Sequence, residues 1–187
     1  MSNQLDNYFA EFILNGFAVI KDTNILEMFD NTDYGDILNV ELIPDSLEYE
    51  VKYNQKQKNF LNSISKYIKL TYLDNYIKTE QVSANIWSGV DDGSIKWHCD
   101  DREGQDFCFL YYFDTMIDDG ALHFKSAEKE LSIYPEAGTL VWLNLTNKYL
   151  HKADRSNHQR RVMNLEFKMI WENKISMWNY LKKLTKD

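Results

Sequence analysis

The chain of 187 residues contains little of what marks several protein classes. It has only 2 cysteines, Cys99 and Cys108, which are too few for a secreted disulfide scaffold. Its 2 prolines and 7 glycines leave no room for a collagen-like or low-complexity segment. No run of 18 apolar residues is present, so we expect no membrane-spanning segment and no membrane partner. We therefore expect a soluble, cytoplasmic protein whose thiols stay reduced.

Basic residues are also in deficit. The 21 lysines and arginines face 29 acidic residues, which gives a formal net charge of −8. Nucleic-acid-binding domains usually carry a basic stripe, so we expect no nucleic-acid partner. What the chain does have is 44% apolar or aromatic residues, enough for a packed core. Its length fits a single domain, residues 1–187.

The pattern divides this domain into three parts. Residues 1–80 are predicted to form a mainly helical support, because apolar residues recur at helical spacing from Leu5 to Ile13. A short apolar run over Phe17–Ile20 predicts a strand, and the stretch Asp45–Tyr76, which lacks Gly and Pro, predicts one or two helices. Residues 172–187 are predicted to form a C-terminal helix, centred on Lys174–Lys183, that packs on the rest of the chain or on a second copy in a homodimer.

Between them, residues 81–171 alternate short β-rich runs with turn signals. The predicted strands are Val82–Trp87, Ile95–His98, Phe107–Phe113, Ala121–Phe124, Leu131–Tyr134, Thr139–Leu143 and Val162–Ile170. Many short strands with regular turns are typical of a sandwich or barrel. We therefore expect a mostly β fold with flanking helices.

Three side chains in this β-rich part form a candidate metal site. Residues two apart on a strand point to one side, so His98 and Asp100 can share a metal. His151 follows after several strands. Two histidines and one carboxylate leave part of an octahedron open, which suits a non-heme Fe(II) centre. Arg161, ten positions after His151, could hold the far carboxylate of a bidentate acid such as 2-oxoglutarate.

Two of these assignments have rivals. His158 competes with His151, because Lys168 follows His158 by ten positions, but His158 lies in a polar turn and we favour His151. Arg160 competes with Arg161. Strand alternation groups Arg161 with Met163, Leu165 and Phe167, and groups Arg160 with Val162, Asn164 and Glu166. We expect the more apolar side to face the barrel interior, which favours Arg161.

Taken in order, these motifs resemble the Fe(II)/2-oxoglutarate-dependent oxygenase superfamily, in particular its prolyl 4-hydroxylase-like branch. The resemblance covers residues 82–167 and is carried by segments of characteristic composition and order: Asn85–Gly89, His98-Cys-Asp100, Phe109–Asp114, Asp119–Phe124, Tyr134–Gly138 and the His151–Arg161 pair. The chain departs from the family pattern at Asp119, which replaces one glycine of a Gly-Gly pair, and at Met163, where many relatives carry Ser or Thr.

The resemblance implies a double-stranded β-helix, a jelly-roll or cupin-like barrel, braced by the helices. It also implies that His98, Asp100 and His151 hold Fe(II), that Arg161 and Tyr112 bind the cosubstrate 2-oxoglutarate, and that O₂ is consumed, with ascorbate as a reductant. The implied activity is hydroxylation of a C–H bond. The first candidate substrate is a prolyl residue in a peptide or protein, and otherwise an amino acid or small metabolite.

Some alternatives stay open at this stage. Tyr112 is either a cosubstrate ligand or a core aromatic, and Trp87 and Trp97 either pack in the barrel or bind substrate. The alternative function is a cupin-like metal-binding protein or isomerase that does not use 2-oxoglutarate. That alternative gives no reason for a cation ten positions after the distal histidine.

Overall fold

The architecture comes from a computed structural model, which describes residues 2–21, 23, 25, 37, 41–43, 50–89, 96–100, 105–127, 129–146 and 148–170. Two long helices lie in the N-terminal part. In the described part of the chain, neither these helices nor any other is long and apolar enough to cross a membrane. Most of the remaining described residues form strands.

The first helix, α1, spans Ser2–Asn15 and buries Phe9 and Phe12. It ends because Gly16 adopts a φ of +80°, a conformation that costs glycine little, and the Gly16 N–H closes the last turn on the Phe12 carbonyl at 2.9 Å. The position is also crowded, since a Cβ on Gly16 would lie 2.0 Å from the ring of Tyr149. The predicted helix at the start of the chain is confirmed.

The second helix, α2, spans Gln55–Ile68 and continues into a π-helical turn over Lys69–Leu73. Asn54 caps it. Its side chain accepts from the Gln57 N–H at 2.9 Å, while the Gln57 side chain accepts from the Asn54 N–H at 2.8 Å. The predicted helix within residues 45–76 is therefore confirmed, although its N-terminal part is replaced by a strand.

The described residues contain ten strands: β1 Phe17–Ile20, β2 Glu41–Ile43, β3 Glu50–Lys52, β4 Thr79–Gly89, β5 Phe107–Tyr112, β6 Leu122–Lys125, β7 Glu130–Ile133, β8 Leu140–Asn144, β9 Leu150–Ala153 and β10 Arg160–Met169. A five-stranded major sheet has the order β1-β8-β5-β10-β4, and a three-stranded minor sheet has the order β7-β6-β9. Strands β2 and β3 pair separately as a hairpin. Neighbouring strands in all three sheets are antiparallel.

The major sheet is the middle of three layers. On one side it packs on the helices through a core that includes Phe12 of α1 and Trp142 of β8, whose rings stack with centroids 4.3 Å apart. On the other side it packs on the minor sheet, where Phe17 of β1 stacks on Phe124 of β6 at 4.7 Å. Both faces of the major sheet are therefore buried. The predicted fold class, mostly β with flanking helices, is confirmed, and the structure adds that the major and minor sheets are both antiparallel.

The pattern missed several elements. Strand β1 was predicted, but it belongs to the major sheet, since Phe17 pairs with Leu143, so residues 1–80 are more than a helical support. Strands β2, β3 and β9 were not predicted. The run predicted over residues 95–98 is reduced to one bridge at His98, while residue 95 lies outside the described residues. The predicted C-terminal helix, residues 172–187, also lies outside them and stays a prediction.

Candidate metal centre and its pocket

One backbone bridge brings two of the candidate ligands together. The His98 N–H donates to the His151 carbonyl at 3.0 Å, and the His151 N–H donates to the His98 carbonyl at 2.9 Å. The two imidazole rings lie with centroids 4.3 Å apart. Asp100 follows two residues after His98, and one ligand atom from each of the three side chains lies within 4.8 Å of the others.

The separations of these atoms fit a shared ion. Asp100 Oδ2 lies 3.3 Å from His151 Nε2, and Asp100 Oδ1 lies 4.0 Å from His98 Nε2. Two ligands bound at right angles to one metal ion, each about 2.1 Å from it, are about 3 Å apart. The donor set fits as well, because two imidazoles and one carboxylate with open positions are typical of non-heme Fe(II).

Hydrogen bonding sets the tautomer of one histidine. His98 Nδ1 lies 3.0 Å from the carbonyl oxygen of Lys96, and a carbonyl can only accept, so Nδ1 carries the proton. The lone pair then resides on Nε2, the nitrogen that faces Asp100. His151 is buried, and its Nδ1 has no hydrogen-bond partner among the described residues. The side chain of His151 is 9% exposed, whereas those of His98 and Asp100 are 36% and 41% exposed, so the centre is accessible to solvent from the side of His98 and Asp100.

The three side chains line a pocket of about 180 Å³. Much of its wall is apolar, including Leu110 of β5 and Val162 of β10, and Cys108 also contributes. Burial, followed by the negative charges of Asp100 and Glu166, raises the pKa of the Cys108 thiol well above its ordinary value. Cys108 is not part of the cluster of candidate ligands in the described part of the chain, although it lines the same pocket.

The structure gives the two neighbouring arginines different surroundings. Arg160 is 6% exposed and lines the pocket together with the metal-ligand candidates. Arg161 does not line it. Its guanidinium instead pairs with Asp114, with Nε 2.9 Å from Oδ2 and Nη2 bonded to Oδ1, and this pairing raises the pKa of Arg161. Among the described residues, Arg161 is therefore not one of those that line the pocket, and its role in binding 2-oxoglutarate stays a prediction.

The alternation of side chains along β10 is as predicted, but the layers on which its two faces pack are not. Met163, Leu165 and Phe167 do share one face of β10, as predicted, but that face packs on the helical layer. The opposite face, which carries Arg160 and Val162, looks toward the minor sheet. Both faces of a middle-layer strand are buried, so the more apolar face is not a guide to the side of the site.

The other predicted residues fall in different places. Tyr112 lines the pocket and is buried, and Trp87 lines it while remaining 55% exposed, at its rim. Trp97 is not part of the lining. Its ring lies 5.8 Å from the Lys125 ammonium and 5.5 Å from that of Lys152. The structure therefore brings Tyr112 and Trp87, but not Trp97, to the candidate centre.

The two remaining histidines lie elsewhere. His123 is held at both ring nitrogens, with Nδ1 2.7 Å from Ser132 Oγ and Nε2 2.8 Å from Asp154 Oδ2. His158 is exposed in the turn after β9, where its backbone N–H donates to Ser156 Oγ at 3.1 Å. Neither belongs to the cluster of candidate ligands found in the described part of the chain.

Of the polar residues in the pocket wall, Asn164 was not predicted as a site residue, and Arg160 was considered but not favoured. A sequence signal for both exists. They lie on the same face of β10, where polar residues interrupt an otherwise apolar strand at alternate positions. Polar groups are costly in an interior face unless they are used, so their presence there marks a site.

No protein-family model and no curated protein sequence matches the chain. Solved structures do. A 2OG-Fe(II) oxygenase family oxidoreductase from Burkholderia pseudomallei superimposes with a TM-score of 0.64 at 12% identity, covering 88% of this chain and 90% of that one. A prolyl hydroxylase from Trichoplax adhaerens, in complex with a peptide of hypoxia inducible factor, gives 0.61 at 18% identity, covering 88% and 89%.

The alpha-ketoglutarate-dependent epimerase SnoN from nogalamycin biosynthesis gives a TM-score of 0.63 at 9% identity, covering 89% of this chain and 83% of that one. At these identities the similarity shows the fold, which is that of the 2-oxoglutarate oxygenases. Since the neighbours include a hydroxylase and an epimerase, the fold is compatible with more than one reaction.

Proposed function

We propose that this protein is an Fe(II)- and 2-oxoglutarate-dependent dioxygenase that hydroxylates a C–H bond. The observation that carries the proposal is the position of Arg160 in the pocket. It is a buried arginine in the same pocket as a 2-His-1-carboxylate cluster, and no acidic side chain of the described residues pairs with it. Its one hydrogen bond to the described residues runs from Nη1 to the Asp154 carbonyl, at 3.1 Å.

A buried guanidinium without a carboxylate partner is costly unless a ligand supplies one. Arginine can bind a carboxylate with two parallel hydrogen bonds, and its charge is permanent. A dicarboxylic acid that chelates a metal at one end would place its other carboxylate on such a group. Arg160 therefore takes the role first assigned to Arg161, with Tyr112 in the same wall as a hydroxyl donor.

We assign separate roles to the residues that line the pocket. Fe(II), 2-oxoglutarate and O₂, when bound, supply the oxidising chemistry. His98, Asp100 and His151 hold the metal, and Arg160 and Tyr112 orient the cosubstrate. Leu110 and the other apolar side chains keep water from the reacting groups. Ascorbate would serve as an external reductant of the metal.

For the substrate, our first candidate is a prolyl residue in a peptide or protein, and otherwise an amino acid or small metabolite. Trp87 supports a substrate that docks from outside, because its ring is half exposed at the pocket rim and offers a flat apolar surface. The peptide bound to the Trichoplax adhaerens neighbour is a further reason to test peptides first.

The proposal is tested by anaerobic titration of Fe(II) and then 2-oxoglutarate, followed by the visible charge-transfer absorption that a chelated 2-oxo acid gives with Fe(II). We expect the band in the wild type and its loss in Asp100→Ala, because a ligand is removed. Asp118→Ala is the matched control, since Asp118 is an exposed carboxylate away from the pocket. A wild type that binds Fe(II) but gives no band would favour the cupin-like alternative and contradict the proposal.

Turnover is then measured as succinate formed in air, and the substrate by screening prolyl peptides and amino acids for the mass gain of one oxygen atom. Formation of succinate that depends on Asp100 supports a dioxygenase even before a substrate is found. Binding of 2-oxoglutarate without any succinate would indicate a binding protein that has the fold but lacks the activity.

A further inference from the structure

Behind the pocket wall lies a polar network centred on one carboxylate. Glu166 Oε2 accepts from the Ser83 hydroxyl at 2.6 Å and from the Gln105 amide at 2.7 Å. Its other oxygen, Oε1, accepts from the Asn164 amide Nδ2 at 3.0 Å. Glu166 is buried, and three donors converge on it. Of these four residues, only Asn164 lines the pocket.

This network fixes the orientation of the Asn164 amide. An ionised carboxylate only accepts hydrogen bonds, so the NH₂ group must face Glu166, and a flipped amide would bring two acceptors together. The amide oxygen of Asn164, Oδ1, then takes no part in the network around Glu166. It is buried and has no hydrogen-bond partner among the described residues. A buried carbonyl without a partner in the wall of a pocket indicates that a bound molecule completes it.

The cosubstrate cannot be that molecule. At neutral pH 2-oxoglutarate carries two carboxylates and a keto oxygen, all of which accept, so it complements Arg160 and the Tyr112 hydroxyl but repels a carbonyl oxygen. Asn164 Oδ1 requires a donor. O₂ has no hydrogen to donate, so among the reactants of the proposed reaction the donor is the substrate that is oxidised.

We infer that Asn164 is a specificity-determining residue that accepts a hydrogen bond from an N–H or O–H group of the substrate. The inference rests on the proposed function and narrows its substrate class. Among proline-like substrates, the ring nitrogen of an internal prolyl residue has no hydrogen, whereas that of free or N-terminal proline does. That ring N–H is the simplest donor of this kind, so we expect a free cyclic amino acid to use it at Asn164 and to lose the hydrogen bond when the nitrogen is acylated.

The test compares L-proline and L-pipecolate with their N-acetyl forms, which have no N–H. Stimulation of succinate formation is measured with Fe(II) and 2-oxoglutarate present. In the wild type we expect at least one free amino acid to exceed its N-acetyl form by about tenfold, the value of one hydrogen bond. Asn164→Leu should bring that ratio close to one while the affinity for 2-oxoglutarate, read from the absorption band, stays unchanged.

The matched control is Asn85→Leu. Asn85 lies directly opposite Asn164 on the neighbouring strand and donates to Ser83 Oγ at 3.3 Å, but it does not line the pocket. This variant should keep the wild-type ratio. Glu166→Gln should lower the ratio without abolishing 2-oxoglutarate binding, because a glutamine lets the Asn164 amide take either orientation. Asn164→Ala, which is smaller and also lacks an acceptor, replaces the leucine variant if that protein fails to fold.

The outcomes separate the two proposals. If the wild type gives no absorption band, the proposed function fails, and this inference fails with it. If the band is present but neither free amino acid is preferred, or if the preference survives in both Asn164 variants, the inference is overturned while the proposed function stands.

Discussion

Neutralising Arg160 and neutralising Arg161 should have opposite consequences, although the two residues are neighbours on β10 and carry the same charge. Arg160→Gln should weaken 2-oxoglutarate binding and leave the stability of the fold nearly unchanged. Arg161→Gln should destabilise the fold and leave 2-oxoglutarate binding nearly unchanged. The difference follows from their partners, because Arg160 lines the pocket and Arg161 pairs with Asp114.

The loss of affinity can be estimated from the burial of Arg160. Removing one partner of a buried, hydrogen-bonded charge pair costs about 2–5 kcal/mol, so a loss of about 3 kcal/mol, or roughly 100-fold in Kd, is expected for 2-oxoglutarate. Without the cosubstrate, the arginine is a buried cation with one hydrogen bond to a carbonyl, and its replacement relieves a desolvation cost. The unfolding free energy of the metal-free protein should therefore change by less than about 1 kcal/mol.

The stability loss follows from the Asp114 pair. Arg161 bonds this carboxylate through both Nε and Nη2, and its backbone N–H also donates to Asp114 Oδ2 at 2.8 Å. The substitution removes the side-chain bonds and keeps the backbone one. Because the pair is partly exposed, the expected cost is about 1–2 kcal/mol. For a domain of this size that lowers Tm by about 2–8 °C.

Both effects are measured on the same samples, Kd by titration of 2-oxoglutarate into the anaerobic Fe(II) protein and Tm by thermal unfolding monitored by circular dichroism. Arg160→Lys is a useful third variant, because it keeps the charge but loses the bidentate geometry and should weaken binding less than the glutamine. If Arg161→Gln weakened binding as strongly as Arg160→Gln at a temperature where both are folded, the assignment of Arg160 to the cosubstrate would be refuted.

Two further predictions follow from titratable groups. The Asn157 N–H and the Ser156 hydroxyl both donate to the Asp119 carboxylate and lower its pKa. The ionised Asp119 therefore stabilises the fold above the ordinary carboxyl pKa of 3.8, and this stabilisation is lost as the pH falls through the lowered pKa of Asp119. Asp119→Asn should therefore flatten the acid limb of Tm measured from pH 2 to 5, and an unchanged limb would contradict this. Cys108 is buried and the pKa of its thiol is raised, so iodoacetamide at pH 8 should modify the more exposed Cys99 first. Peptide mass spectrometry measures the order of labelling. Preferential labelling of Cys108 would contradict this prediction.

The elements that could be predicted from sequence are those whose local pattern decides them. Helix α1 was visible from its apolar spacing, and strands β4, β5 and β10 from their β-rich composition. Strand β9, which carries His151, was not visible. It has four residues, Leu150–Ala153, and exists because it pairs with β6, a contact that no local pattern encodes.

The candidate site also was predictable from local sequence only in part. His98, Asp100 and His151 were identified from residue type, order and spacing, and the structure brings them together. The predicted arrangement placed His98 and Asp100 on one strand. In the structure, His98 instead forms an isolated bridge to His151. Residue chemistry thus identified the cluster, while the contact that assembles it depends on long-range pairing.

Asp119 shows how a departure from a family motif can be explained by structure. It stands where the family pattern has a glycine, and it accepts from the Ser156 hydroxyl and the Asn157 N–H, both 2.8 Å away. It thereby fastens the turn between β9 and β10, which joins the strand of His151 to the strand of Arg160. The substitution stabilises the frame of the site and takes no part in the metal cluster.

The different surroundings of Arg160 and Arg161 illustrate a more general rule for strands in a middle layer. Alternation assigned the faces of β10 correctly, but apolarity could not identify the side of the site, because one face packs on helices and needs nothing but apolar residues. The opposite face holds Arg160, Asn164 and Glu166 among apolar neighbours. Polar side chains are retained in a buried layer only where hydrogen bonds or a ligand satisfy them. When both faces of a strand are buried, the face of mixed polarity is therefore the one expected to line the site.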